Sequence, residues 1–156
     1  MPDGELARPG ARMIDVGAKP ATRRRARARA TVRMRREVLD MVMRGQLEKG
    51  DALTVAKVAG MNACKWTPHL LPLCHPLLID HCAVECRPVE GGLAVEVEVS
   101  CRGPTGVEME AMTAAAVAAL AIYDMIKPVD RAASIEQVIL LEKEGGRSGH
   151  FRREEG

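Results

Sequence analysis

From Leu93 to Cys101 the chain alternates without a break: Leu93, Val95, Val97 and Val99 interleave with Ala94, Glu96, Glu98 and Ser100. A period of two puts the first set on one face of a β-strand and the second set on the other. One face of the resulting sheet is therefore apolar, and the other is charged or covered. Leu78 to Pro88 precede this run, and Gly91-Gly92 lie between them, so the pair reads as a β-hairpin. The longest helical segment follows. Val107 to Lys127 is rich in Ala, carries Met109, Met112, Ala116, Leu120 and Tyr123 along one stripe, and is terminated by Pro128.

The remaining elements are shorter. Ala30 to Met34 reads as a first strand, with Val32 and Met34 alternating with polar neighbours. Glu37 to Gln46 fits an amphipathic helix stopped by Gly45. Asp51 is placed to cap a second helix that runs to Trp66 and is ended by Pro68; Gly60 within it implies a close crossing with another element. Ser134 to Leu141 is a last strand, and Gly145 opens a polar tail. The order β-α-α-β-β-α-β argues for an α+β fold, a ferredoxin-like antiparallel sheet with helices packed on one face.

Length and composition bound the function classes. A chain of 156 residues suits one domain. Met1 to about Arg12 is polar and reads as a flexible arm, and Met13-Ile14-Asp15-Val16 is an apolar patch able to dock on the body. One Trp, one Tyr and one Phe argue against a base-stacking nucleic-acid module. The charge is near balance, 23 basic to 21 acidic, but Arg23, Arg24, Arg25, Arg27 and Arg29 crowd one segment, which leaves a basic nucleic-acid arm as an alternative. Five cysteines with no CxxC spacing and no signal peptide point to reduced thiols in the cytoplasm. No apolar run is expected to reach the ~20 residues of a membrane helix.

Three groups of residues offer chemistry. Leu70-Leu71-Pro72-Leu73-Cys74-His75-Pro76-Leu77 sets a thiol beside an imidazole on backbone stiffened by two prolines. It is either a site wall or a buried loop that packs leucines. Neighbouring side chains in extended backbone diverge, so His75 alone is a better acid, base or hydrogen-bond donor than Cys74-His75 is a nucleophile–base pair. His69, Cys74, His75, His81, Cys82 and Cys86 are dense, yet their spacings match no zinc pattern, and a zinc-dependent enzyme stands only as a second alternative. On the long helix, Glu108 and Glu110 suit the positive N-terminal end, whereas Asp124 faces the negative one. Asp124 and Lys127 are surface neighbours, and are either a proton-transfer pair or an exposed ion pair. Glu110 and Asp124 lie about 21 Å apart along the helix axis, so one small ligand cannot touch both within one chain. Either one of them is outside the site, or two subunits build it. The bases Lys19, Arg24, Lys49, Lys127, Lys143 and Arg147 are dispersed, and if they converge they make a pocket for a polyanion such as a triphosphate. No GxxxxGK[ST] or GxGxxG cradle is present.

Taken together, Leu71-Pro72-Leu73-Cys74-His75-Pro76-Leu77, Thr105-Gly106-Val107-Glu108-Met109-Glu110-Ala111-Met112-Thr113-Ala114 and Ile122-Tyr123-Asp124-Met125-Ile126-Lys127 resemble the cyclic pyranopterin monophosphate synthase family, the molybdenum cofactor biosynthesis protein C family. Met13 to Lys19, Lys49-Gly50-Asp51 and Gly145 to Gly149 extend the likeness to about residues 13–152, leaving 153–156 as a tail. The resemblance implies one catalytic domain over 13–152 and a lyase that converts 3′,8-cyclo-7,8-dihydroguanosine triphosphate to cyclic pyranopterin monophosphate with loss of diphosphate. It also implies a homohexamer, a trimer of dimers with sites at the dimer interface, and a radical enzyme acting one step earlier as a transient partner. By the family pattern Asp124, Lys127 and Lys49 are catalytic, while Leu73, Cys74, His75, Met109, Glu110, Lys19, Arg24 and Lys143 bind substrate. No tightly bound cofactor or metal is implied, with Mg²⁺ on the triphosphate left open, and neither nucleic acid nor membrane is an expected partner. The chain departs from the family at Trp66-Thr67-Pro68-His69, in a short Arg102–Thr105 loop, and at Arg147, where a lysine is usual and which cannot serve as a base.

Overall fold

Between Thr22 and Arg33 arginine alternates with small residues, and in the computed structural model, which describes residues 10–155, this whole segment is the first strand, β1 (Thr22–Arg33). Ala26, Ala28, Ala30 and Val32 face the core and are at most 1% exposed, while Arg25, Arg27 and Arg29 face the other way. The strand expected over Ala30 to Met34 is only the end of a longer one, and the arginine run is not an arm. Its guanidinium groups are engaged within the chain: Arg25 with Glu98, Glu142 and Glu144, Arg27 with Glu96 and Glu142, and Arg29 with Glu96 and Glu155. That cross-strand lattice overturns the reading of these residues as a nucleic-acid arm. Of the expected N-terminal arm, residues 1–9 lie outside the described residues, and 10–12 are exposed.

The hairpin forms as its alternation requires, from β2 (Ile79–Val89) and β3 (Gly92–Gly103). β3 pairs antiparallel with β1, and β1 with β4 (Ser134–Glu144). β4 runs past the expected end at Leu141, which brings Lys143 into the sheet. A fifth strand, β5 (Phe151–Arg152), was not expected in the polar tail; the glycines at 145, 146 and 149 turn the chain back so that it pairs with β4. The sheet order is β2-β3-β1-β4-β5.

The helices cover one face. α1 spans Arg36–Met43, α2 Ala52–Leu70 and α3 Glu108–Ile126. Asp51 caps α2 by accepting from the backbone N–H groups of Leu53 (3.0 Å) and Thr54 (3.2 Å). Pro68 does not end this helix. In the last turn it removes a single N–H, and the N–H of Leu71 still reaches the Thr67 carbonyl at 2.9 Å. Pro72 ends the helix instead, by holding Leu71 extended at φ −113°, ψ 105°.

α3 packs with a different face from the one its larger residues mark. Ala111, Ala114, Ala115, Ala118, Ala119, Ile122 and Ile126 are fully buried, whereas Met109 and Leu120 are 40% and 57% exposed. Alanine lets the helix approach the sheet and α2 closely; methionine and leucine would hold it off. By length and mean hydropathy (19 residues, 1.5), α3 is also long and apolar enough to cross a membrane, contrary to expectation, yet half of that window is buried inside the protein.

The crossing of α2 and α3 is as tight as Gly60 implied. A Cβ there would lie 3.0 Å from Val84 Cγ2, 3.2 Å from the Ala114 carbonyl and 3.3 Å from Ala118 Cβ. Gly60→Leu is therefore expected to destabilise the chain by about 2–3 kcal/mol through overpacking. Urea unfolding followed by circular dichroism checks this, and a midpoint equal to that of the unaltered chain would contradict it.

Candidate active site

The N-terminal end of α3 meets the sheet beside two adjoining clefts. Because β1 alternates, Thr22 and Arg24 share the core-side face with Ala26. Lys143 stands opposite Ala26 in β4 and shares it too. At this end the face is overlaid by the 104–107 loop and the first turn of α3. A cleft of about 480 Å³ opens there, lined by Lys19, Thr22, Arg24, Lys143, Arg147 and Ser148, with Thr105, Gly106 and Glu108 on the loop side. Arg24 is fixed by donating to the carbonyls of Gly103 and Pro104, both at 3.2 Å. Gly146, at φ 77°, leaves room for the Arg24 guanidinium, which any Cβ would strike. Lys143 Nζ sits 3.3 Å from Glu108 Oε1 and donates to Ser148 Oγ.

The second cleft, of about 300 Å³, is lined by Leu73, Cys74, His75, Met109 and Glu110, with Lys19 again on its wall. Its loop is a tight turn, closed by the N–H of Cys74 donating to the Leu71 carbonyl at 3.1 Å, with Pro72 in the second position. Ile14 and Val16 border this cleft, but Met13 and Ile14 are 51% and 69% exposed, so the expected docking of Met13 to Val16 on the body is not made by these side chains. Glu110 is 3% exposed, and burial, aided by the neighbouring Glu108 charge, pushes its carboxyl up to about 7. Burial and then Glu110 push the Cys74 thiol up as well, so Cys74 stays protonated and is no thiolate nucleophile. Lys19, Thr105, Gly106 and Glu108 line both clefts, so the two share a border; together they are called the trough, with a carboxyl end and a cationic end.

The C-terminal end of α3 carries Asp124 between two ammonium groups. Lys127 Nζ lies 2.8 Å from Oδ1; Lys49 Nζ, from the turn before α2, lies 3.0 Å from Oδ2 and 3.1 Å from the Asp124 carbonyl. Hydrogen bonds from Lys127 and then Lys49 hold the Asp124 carboxyl below its usual range. The triad is open to solvent, with Asp124 53% exposed.

The residues singled out in the sequence thus gather into two places. Lys19, Arg24, Lys143, Leu73, Cys74, His75, Met109 and Glu110 share the trough; Asp124, Lys127 and Lys49 stand at the far end of α3, about 21 Å along its axis. Sequence reasoning missed Glu108, which was explained by the helix dipole, and also Thr22 and Ser148. Their signal was the alternation of β1 and the glycine-rich turn after β4. The Cys/His-dense stretch 69–86 does not converge on a point. Among the described residues the group with mutually close ligand atoms is Glu142, Glu144 and His150, and Arg25 already bonds both of its glutamates.

A carboxyl that burial pushes up to about 7, an imidazole, an ionised carboxylate held by two lysines and a cationic cleft are groups able to exchange protons and to hold negative charge. A model of the MoaC family matches residues 13–146. The chain is 52% identical over 145 residues to the cyclic pyranopterin monophosphate synthase of Chloroflexus aurantiacus, covering 92% of this chain and 89% of that protein. It is 53% identical over 145 residues to the protein of the same name from Pelotomaculum thermopropionicum (92% and 85% covered), and 52% over 143 residues to that of a Roseiflexus species (90% and 90%). The chain belongs to the MoaC family.

Proposed function

We propose that this enzyme converts (8S)-3′,8-cyclo-7,8-dihydroguanosine 5′-triphosphate to cyclic pyranopterin monophosphate with release of diphosphate, an early step of molybdenum cofactor biosynthesis. The observation that carries the reading is the trough: a buried, proton-holding carboxyl and an imidazole line one cleft, and a cluster of cations lines the cleft that borders it. Rearranging a purine to a pterin requires proton transfers at several ring atoms, and Glu110 and His75 are suited to act as donor and acceptor there. Closing a cyclic phosphate expels diphosphate, and Arg24, Lys143 and Lys19 are suited to stabilise the charge that develops. The two prolines hold Leu73-Cys74-His75 still as a wall for the heterocycle.

Asp124, Lys127 and Lys49 supply the remaining acid–base chemistry in this reading. The span of α3 keeps them from the trough of their own chain, so they serve the trough of a neighbouring one, in a homohexamer built as a trimer of dimers with interface sites. The β2-β3-β1-β4 order supports a ferredoxin-like core for each chain. The enzyme works in the cytoplasm as one catalytic domain over 13–152, on the product of a preceding radical enzyme with which it is in transient contact, with no tightly bound cofactor. Incubation with the cyclised nucleotide tests the assignment. Equal amounts of diphosphate and a pterin product are expected, and neither product from folded protein would overturn it.

A further inference from the structure

Ring closure of the phosphate needs a base at a particular place. The hydroxyl that attacks the α-phosphorus belongs to the part of the substrate that joins the heterocycle to the phosphates, so its proton is lost where the two ends of the trough meet. Four residues line both clefts: Lys19, Thr105, Gly106 and Glu108. Glycine has no side chain, a charged lysine has no acceptor, and a threonine hydroxyl is a poor base. Glu108 is the carboxylate at the seam.

We propose that Glu108 is the general base that closes the cyclic phosphate, a role that rests on the reaction proposed above. Its carboxylate folds back over the 104–107 loop and lies against Gly106, where a Cβ would meet it. Lys143 Nζ, 3.3 Å away, holds it in place, and it is 27% exposed, so a substrate can reach it. The other carboxyl of this turn, Glu110, lines only the heterocycle end and keeps its proton near neutrality, which suits an acid.

In the step, the substrate hydroxyl oxygen forms a bond to the α-phosphorus and its proton passes to a Glu108 carboxylate oxygen. The bond from the α-phosphorus to the bridging oxygen of the β-phosphate breaks, and diphosphate leaves with that electron pair. Once protonated, Glu108 no longer holds Lys143 by charge, and the freed ammonium turns to the leaving diphosphate.

Glu108→Gln tests this with the full chain and the cyclised nucleotide. Substrate affinity is expected to stay within about threefold, while single-turnover diphosphate release falls by about 10²–10⁴-fold. A further loss of about tenfold or more is expected in a Lys143→Ala background, smaller than in the unaltered chain because part of the effect passes through Lys143. Glu108→Asp, which keeps a carboxylate one methylene shorter, is expected to recover part of the rate, and it serves alone if Glu108→Gln does not fold. Diphosphate release within about threefold of the unaltered chain, or no further loss in the Lys143→Ala background, would overturn the role; the second result would leave Glu108 as a support for Lys143. Failure of the parent reading looks different, since the unaltered chain would then release no diphosphate.

Discussion

Asp124→Asn is expected to cut turnover by about 10³-fold or more while leaving the melting temperature close to that of the unaltered chain. Two ammonium groups at 2.8 and 3.0 Å keep this carboxylate ionised, and it lies in the last turn of α3, where the helix dipole disfavours an acid. The lysines offset that cost, so the amide loses both the charge and the reason for the lysines to gather. Exposed ion pairs contribute little to folding, which is why the fold is expected to survive. Lys127→Ala removes the partner that lowers the Asp124 carboxyl most, and is expected to match it. The sign follows from the lowered carboxyl: Asp124 stays charged from neutral into mildly acid solution, and its stabilising pairing is lost only as pH falls through its own lowered value. Diphosphate release assayed beside circular dichroism reads both effects. Near-normal release from either folded variant would remove this triad from the catalytic machinery.

Glu110→Gln is expected to act in opposite directions on activity and stability. Burial raises this carboxyl from 4.5 to about 7, so the folded state holds a proton that the unfolded state gives up. Between those two values the folded state binds more protons, and stability falls as pH rises through the window. Above pH ~7 the native chain carries a buried charge; the amide does not. The variant is therefore expected to gain up to about 3 kcal/mol over the unaltered chain at pH 8, and to show no such gain below pH ~4.5. Turnover, which needs the proton, is expected to fall about 10²-fold. Urea titrations at pH 4, 6 and 8 separate these outcomes, and a stability difference that does not change with pH would contradict a carboxyl held neutral by burial.

Most of the architecture was legible because its periods are clean. Leu93 to Cys101 alternates with valine, and valine marks its face plainly. β1 alternates just as strictly, but its inward residues are Ala26, Ala28 and Ala30, whose small side chains carry little hydrophobic signal, so the arginines dominated the reading. The same property misled on α3, where methionine, leucine and tyrosine outweighed the alanines that form the packed face. The site was legible as motifs but not as geometry. Asp124 and Lys127 are neighbours by helical spacing, whereas Lys49 reaches them from another element, and no local pattern announces that contact. Glu108 was hidden for another reason: an acid in the first turn of a helix already has an adequate electrostatic explanation, so its position between two clefts emerges only when the 104–107 loop is folded against β1 and β4.

In the proposed function both ends of α3 serve one site, and they stand about 21 Å apart along its axis, which calls for two chains. The most direct test mixes two inactive variants. Chains bearing Asp124→Asn and chains bearing His75→Ala are unfolded together and refolded, with subunit mixing verified by native mass spectrometry. If one site takes its trough from one chain and its Asp124–Lys127–Lys49 triad from another, mixed dimers rebuild one intact site each. Activity then returns to about a quarter of the unaltered enzyme's. Verified mixing with no recovery would contradict a site assembled from two chains.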